Sequence, residues 1–163
     1  GYDGTYIGAG PIQGATVCIE ATPGTCTGAQ YTDTTAQDGS FSITVDSGTT
    51  GVLRGEGGFD PVTNLQFNDD NSLALGQPVT SQNFVVSPLS TLMNEYDSAG
   101  STDYDTFKQK LGLDSSFMIR FDNPFDSLGS ASSNKAAVVN TQLLVLHEVI
   151  KGIHTFSLSL IHI

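Results

Sequence analysis

The chain reads as an α+β protein, an N-terminal antiparallel β-sandwich-like part followed by a C-terminal three-helix part. Three observations predict this. Up to residue 86, apolar residues alternate with polar ones in short runs, the two-residue period of half-buried strands. Pro-Gly and Asp-Gly pairs punctuate those runs as turns. From Ser87 the apolar spacing lengthens to that of helices, so strands come first and helices follow instead of alternating. The expected division is 1–86 for the β part, 87–157 for the helical part and 158–163 for a short tail.

Ile12, Ala15, Val17 and Ile19 mark a first strand, kinked at Gly14. Ala21-Thr22-Pro23-Gly24-Thr25 is a turn. A second strand covers 30–35, and Gln37-Asp38-Gly39-Ser40 turns the chain into a third. Asp-Gly favours a hairpin turn because Gly takes positive φ without steric cost and Asp tolerates it. In the third strand Phe41, Ile43 and Val45 alternate with Ser42, Thr44 and Asp46. Val52-Leu53-Arg54-Gly55 is the candidate fourth strand, and Leu73, Leu75 and Val79 suggest another. Asp69-Asp70-Asn71 reads as a solvated turn in preference to a metal site.

Ser87 is placed to cap a helix and Pro88 to occupy its first position. Leu89, Leu92, Met93 and Tyr96 fall on one face, and Gly100 ends the helix. Thr102 or Asp103 caps a second helix over 104–111, with Phe107 and Leu111 inward and Gly112 as its stop. Residues 113–128 are turn-rich. Ser133 caps a third helix from 134 to about 153, with Val138, Val139, Leu143, Leu146 and Ile150 as its buried stripe.

With 17 acidic and 6 basic residues the net charge is −11. Nucleic acid and anionic membrane would be repelled, so neither is expected as a partner. The 13 Asp against 4 Glu suit a solvated, secreted protein and Ca²⁺, a hard cation that takes oxygen ligands. No apolar run reaches the roughly 18 residues of a membrane-spanning helix. Cys18 and Cys26 stand eight positions apart. In an oxidising compartment they can bridge two arms of a hairpin; otherwise they are two free thiols, since a metal site needs two further ligands. The chain starts within a pattern and without Met, and reads as a fragment. Leu158-Ser159-Leu160-Ile161-His162-Ile163 resembles a translated transposase sequencing adapter from a metagenomic contig. It is set aside as a non-native tail.

No catalytic residue is predicted. There is no Gly-x-Ser-x-Gly elbow and no phosphate loop, and His147 and His154 lie too far apart for a zincin pair. Carboxylate pairs arise by chance among 17 acids, and none is marked for glycoside hydrolysis. The leading metal candidates are Asp122, Asn123 and Asp126 in Phe121-Asp122-Asn123-Pro124-Phe125-Asp126, with Asp114 nearby. The competing reading makes Asp122 or Asn123 the cap of a short turn that opens with Pro124. Asp60 with Asn64 is a second, weaker candidate.

Thr32-Asp33 with Asp38-Gly39-Ser40-Phe41-Ser42-Ile43 resembles a hairpin of prealbumin-like, carboxypeptidase-regulatory-like β-sandwich modules. Gly14-Ala15-Thr16-Val17-Cys18-Ile19-Glu20, Cys26 and that hairpin, with Gly57-Gly58-Phe59-Asp60 and Val85-Val86-Ser87-Pro88-Leu89-Ser90-Thr91-Leu92, broaden the likeness. Over about 7–150 the succession is similar to modules of very large bacterial surface proteins, including calcium-dependent adhesins. The resemblance implies a non-catalytic module, extracellular or at the bacterial cell surface, structural, adhesive or ligand-binding, and stabilised by Ca²⁺. Its partners would be neighbouring modules of the same chain and a cell-surface glycan or peptide, without membrane insertion. The alternative is an accessory domain of a secreted hydrolase whose catalytic domain lies elsewhere. In that family the loop between the cysteines is an acidic calcium-type loop. Here it offers one carboxylate, Glu20, so the disulfide is the expected staple.

Overall fold

The computed structural model describes residues 1–67, 72–76, 83–98, 104–126, 129–150 and 160–161. Within them the strands are β1 (Tyr2–Tyr6), β2 (Thr16–Ile19), β3 (Tyr31–Thr34), β4 (Ser40–Ile43), β5 (Leu53–Glu56), β6 (Phe59–Asp60), β7 (Leu65–Gln66), β8 (Leu73–Gly76) and β9 (Asn83–Val86). The helices are α1 (Pro88–Ser98), α2 (Tyr104–Lys110) and α3 (Ala131–Ile150). This is an α+β fold with its strands in the N-terminal part. One sheet has the order β4-β1-β9, a second β3-β2-β5-β8, and β6-β7 is a small ribbon.

The Asp38-Gly39 turn forms as the sequence predicts. Gly39 takes φ +79°, and Asp38 Oδ1 accepts from Ser40 N at 3.0 Å. The strands on either side do not make a ladder with each other, however. β3 pairs antiparallel with β2, and β4 with β1, so the turn carries the chain between sheets. β1, whose sequence Tyr-Asp-Gly-Thr-Tyr carries too little apolar alternation to be recognised, pairs with one edge of β4. On the other edge of β4, toward β3, Ser42 N bonds to Asp33 Oδ2 at 2.8 Å in place of a ladder partner. On the other side of β1, β9 adds in parallel, the one pairing among the described strands that is not antiparallel. Gly4 makes this arrangement possible: a Cβ there would run into the Phe41 ring and the Phe84 carbonyl.

The predicted kink at Gly14 is real, with φ +65°. It leaves Ile12 outside the strand, and β2 starts only at Thr16. Buried Thr35 holds the detour, accepting from Ala15 N and donating to Ile12 O at 2.7 Å.

Tyr6 joins the two sheets. Its hydroxyl donates to Gly55 O of β5 at 3.0 Å, and its ring lies so close to Gly55 that a Cβ would stand 2.8 Å from it. Burial pushes the phenol pKa far up, with Glu56 adding to the shift.

At α1, Ser87 and Ser90 cap reciprocally: each backbone N donates to the other's hydroxyl, at 2.9 and 3.0 Å. Ser90 Oγ also donates to Ala74 O at 2.7 Å, while Thr91 Oγ1 accepts from Ala74 N at 2.9 Å. The first turn of the helix thus satisfies backbone groups at the edge of β8. Leu89, Leu92, Met93 and Tyr96 are buried as the spacing requires. α2 ends in a Schellman motif at Gly112, with Leu113 N bonding to Lys108 O and Gly112 N to Gln109 O.

α3 starts earlier than the sequence suggests. Its cap is Ser130, whose Oγ accepts from Ser133 N at 3.2 Å, so Ser133 lies inside the helix. The buried stripe also differs. Val138 is 51 % exposed, whereas Ala136, Val139, Asn140, Leu143, Leu144 and His147 are buried. Small and polar residues occupy the inward face, which a search for large apolar side chains overlooks. Buried Asn140 donates to Gly8 O at 2.8 Å and accepts from Leu89 N at 3.3 Å. It therefore ties the N-terminal loop, α1 and α3 together.

One buried cluster contains residues of both sheets and all three helices, from Tyr6 to Leu160. Leu160 belongs to the tail set aside above, and its carbonyl accepts from Lys110 Nζ at 3.1 Å. Asp69-Asp70-Asn71, Val79, Gly100, the Thr102 or Asp103 cap, the end of the third helix and His154 lie outside the described residues, as does the Ile150 side chain.

Gly55→Ala should therefore cost about 1–3 kcal/mol by overpacking against Tyr6, measured by chemical denaturation. Tyr6→Phe removes only the hydroxyl and should cost about 1–2 kcal/mol by leaving a buried carbonyl short of a donor. Equal stability of Gly55→Ala and the native chain would contradict the close approach of the two sheets.

Candidate functional site

Residues 113–126 form a run of turns fastened at several points. Lys108 Nζ reaches from α2 to Ser115 O at 2.7 Å and Phe117 O at 3.4 Å. Asp114 Oδ1 accepts from Ser116 N and Ser116 Oγ, and these bonds hold its carboxyl below the usual carboxylate range. Arg120 O accepts from Val85 N at 2.8 Å and so attaches the run to β9. Asp122 Oδ2 accepts from Met118 N at 2.8 Å, closing one turn. Asn123 Oδ1 accepts from Phe125 N at 3.0 Å, starting the next turn at Pro124.

Two polar recesses flank these turns. One, of about 340 Å³, lies where the run meets the β4-β1-β9 sheet; Asp3, Thr5, Ser40, Asn83, Asn123 and Asp126 contribute to its lining. The other, of about 280 Å³, includes Ser116, Asp122, Asn123, Asp126 and Ser133. Asn123 and Asp126 border both recesses, and Asp122 borders only the second. The predicted trio is thus kept in one neighbourhood, but two of its side chains already serve the backbone as turn caps. Among the described residues no group of three or more His, Cys, Asp or Glu is placed to hold a metal ion. Sequence reasoning missed Asp3 and Asn83. They come from β1 and β9, neither recognised as a strand, and only the parallel pairing of these strands makes them neighbours.

Asp60 is fully buried, and its two oxygens accept from Ala9 N at 3.0 Å and Val62 N at 2.9 Å. It organises the N-terminal loop, and Asn64 serves the β6–β7 turn with φ +58°. Glu20 pairs with Arg54 Nε at 2.6 Å and accepts from Gly24 N. Cys18 and Cys26 form a disulfide, so the open choice between bridge and free thiols resolves to the bridge. Beside it Glu56 Oε1 accepts from Cys26 N at 3.2 Å.

His147 is 6 % exposed, and neither ring nitrogen has a hydrogen-bond partner among the described residues. Burial lowers its pKa below the ordinary 6.5.

Comparison with protein-family models, with curated proteins and with solved structures finds no match for the chain.

Two outcomes follow. Non-reducing peptide mapping should recover Cys18 linked to Cys26, and replacing both by Ala should lower stability by about 2.5 kcal/mol, the entropy of a short closed loop. For His147 the fold favours the neutral ring, so its contribution is present above the ordinary pKa and is lost as pH falls through the lowered one. The melting temperature should fall from about pH 7 to pH 5 by more in the native chain than in His147→Leu. Parallel pH profiles would exclude a buried neutral imidazole.

Proposed function

We propose that the chain is a non-catalytic module of a large bacterial surface protein, structural, adhesive or ligand-binding in role and stabilised by Ca²⁺. The observation that carries this reading is the recess over the β4-β1-β9 sheet. Asp3, Asn83, Asn123 and Asp126, from distant parts of the chain, line it; Asp3 Oδ1 also accepts from Ser42 Oγ, and Asn123 Oδ1 from Phe125 N. Ca²⁺ takes six to eight oxygen ligands in flexible geometry, and carboxylate, amide and backbone oxygens all serve. A floor of Thr5 and Ser40 beside these groups also suits the hydroxyls of a glycan. The disulfide supports an oxidising compartment, and no helix among the described residues is long and apolar enough to cross a membrane.

Thermal unfolding with Ca²⁺ and with chelator tests the reading. A ligand bound only by the folded state adds about 2.7 kcal/mol at a hundredfold excess over Kd. The expected result is a rise of several degrees in millimolar Ca²⁺ that Asp3→Asn with Asp126→Asn removes. An unchanged melt would strip calcium from the proposal. A rise that survives the double replacement would place the ion elsewhere.

A further inference from the structure

The sulfur atoms of the chain lie in 2 Cys and 2 Met. Cys18 and Cys26 are bonded to each other, which leaves the thioethers of Met93 and Met118 as the sulfurs open to a two-electron oxidant. Their surroundings differ. Met93 lies on the buried face of α1 and is 4 % exposed, whereas Met118 is 49 % exposed. Both nevertheless border one apolar cavity of about 120 Å³, together with buried Phe117 and half-buried Phe121. Met118 therefore stands between this apolar space and the solvent.

The backbone of Met118 is held on both sides. Its N donates to Asp122 Oδ2 at 2.8 Å, and its carbonyl accepts from Phe121 N at 3.0 Å and Asp122 N at 2.8 Å. A change in the side chain is thus met by rotation of the side chain, not by movement of the loop. Oxidation by a peroxide is such a change. The sulfur lone pair forms an S–O bond, the O–O bond breaks, and hydrogen peroxide leaves as water. The product is a polar sulfoxide in place of an apolar thioether. The cations that border the cavity are engaged elsewhere, Lys108 with the carbonyls of Ser115 and Phe117 and Arg120 with the Tyr104 ring. A sulfoxide oxygen is costly to hold against Met93, Phe117 and Phe121, so the oxidised side chain turns to water and uncovers them.

We propose that Met118 is a site of sulfoxidation by peroxide, and that its oxidation uncovers the apolar cavity and loosens the run of turns at 113–126. The proposal stands apart from calcium, because Met118 borders neither polar recess.

The whole folded chain is treated with hydrogen peroxide, and each methionine is followed by peptide mass mapping. Met118 should take up oxygen roughly tenfold faster than Met93, and the two rates should converge in denaturant. The chain oxidised at Met118 should melt several degrees lower and bind more of a hydrophobic dye. Met118→Leu keeps an apolar group of similar size, and after the same treatment it should melt where it did before. Met118→Gln carries a polar amide and should melt low without any peroxide. Equal rates in the folded chain, or a difference that persists in denaturant, would overturn the assignment of the site. An unchanged melt after oxidation of Met118, or an equal loss in treated Met118→Leu, would overturn the loosening.

Discussion

The fold depends on the approach of Tyr6 to Gly55. A phenol buried between two sheets fills the space between them, and its hydroxyl finds an acceptor on the opposite strand. That contact requires a residue without a side chain at position 55, because a Cβ would meet the ring. β1, which carries Tyr6, lies in the middle of its sheet, between β4 and β9. The Asp38-Gly39 turn joins strands of the two sheets instead of closing a ladder. Ser42 N, which a hairpin partner would have satisfied, is satisfied by the Asp33 carboxylate.

The helices join this framework through polar groups as well as apolar ones. Ser90 and Thr91 belong to the first turn of α1, and their hydroxyls also serve Ala74 of β8. Asn140 extends the same principle to α3 by holding Gly8 O and Leu89 N. Each group would be costly to bury alone, and each is paired across a junction between elements. The strands and helices consequently share a single buried cluster.

The turns after α2 supply walls to the polar recesses and to the apolar cavity. Their rigidity comes from internal bonds: Lys108 to two carbonyls, Asp114 to Ser116, Asp122 to Met118 and Asn123 to Phe125. Much of the polar chemistry in this segment thus maintains its shape. Asn123 and Asp126 border both polar recesses, with Asp3 and Asn83 of β1 and β9 beside the first.

By itself the sequence determined the succession of strands and then helices, the Gly14 kink, the Asp38-Gly39 turn, the Ser87-Pro88 helix start, the buried face of α1 and the Gly112 stop. These are local: a glycine φ, a proline ring or a 3.6-residue period acts within a few residues. The Asp122–Asp126 turn was legible in the same way, since Asx capping needs only near neighbours. Tertiary structure alone decided that β1 exists, that β9 runs parallel to it and that β3 and β4 belong to different sheets. It also decided that α3 turns Asn140 and His147 inward and Val138 outward. Each of these rests on a partner distant in the chain. Asp3 becomes a neighbour of Asn83, and Gly8 of Asn140, only when backbone groups pair across the fold, and no local propensity encodes that choice.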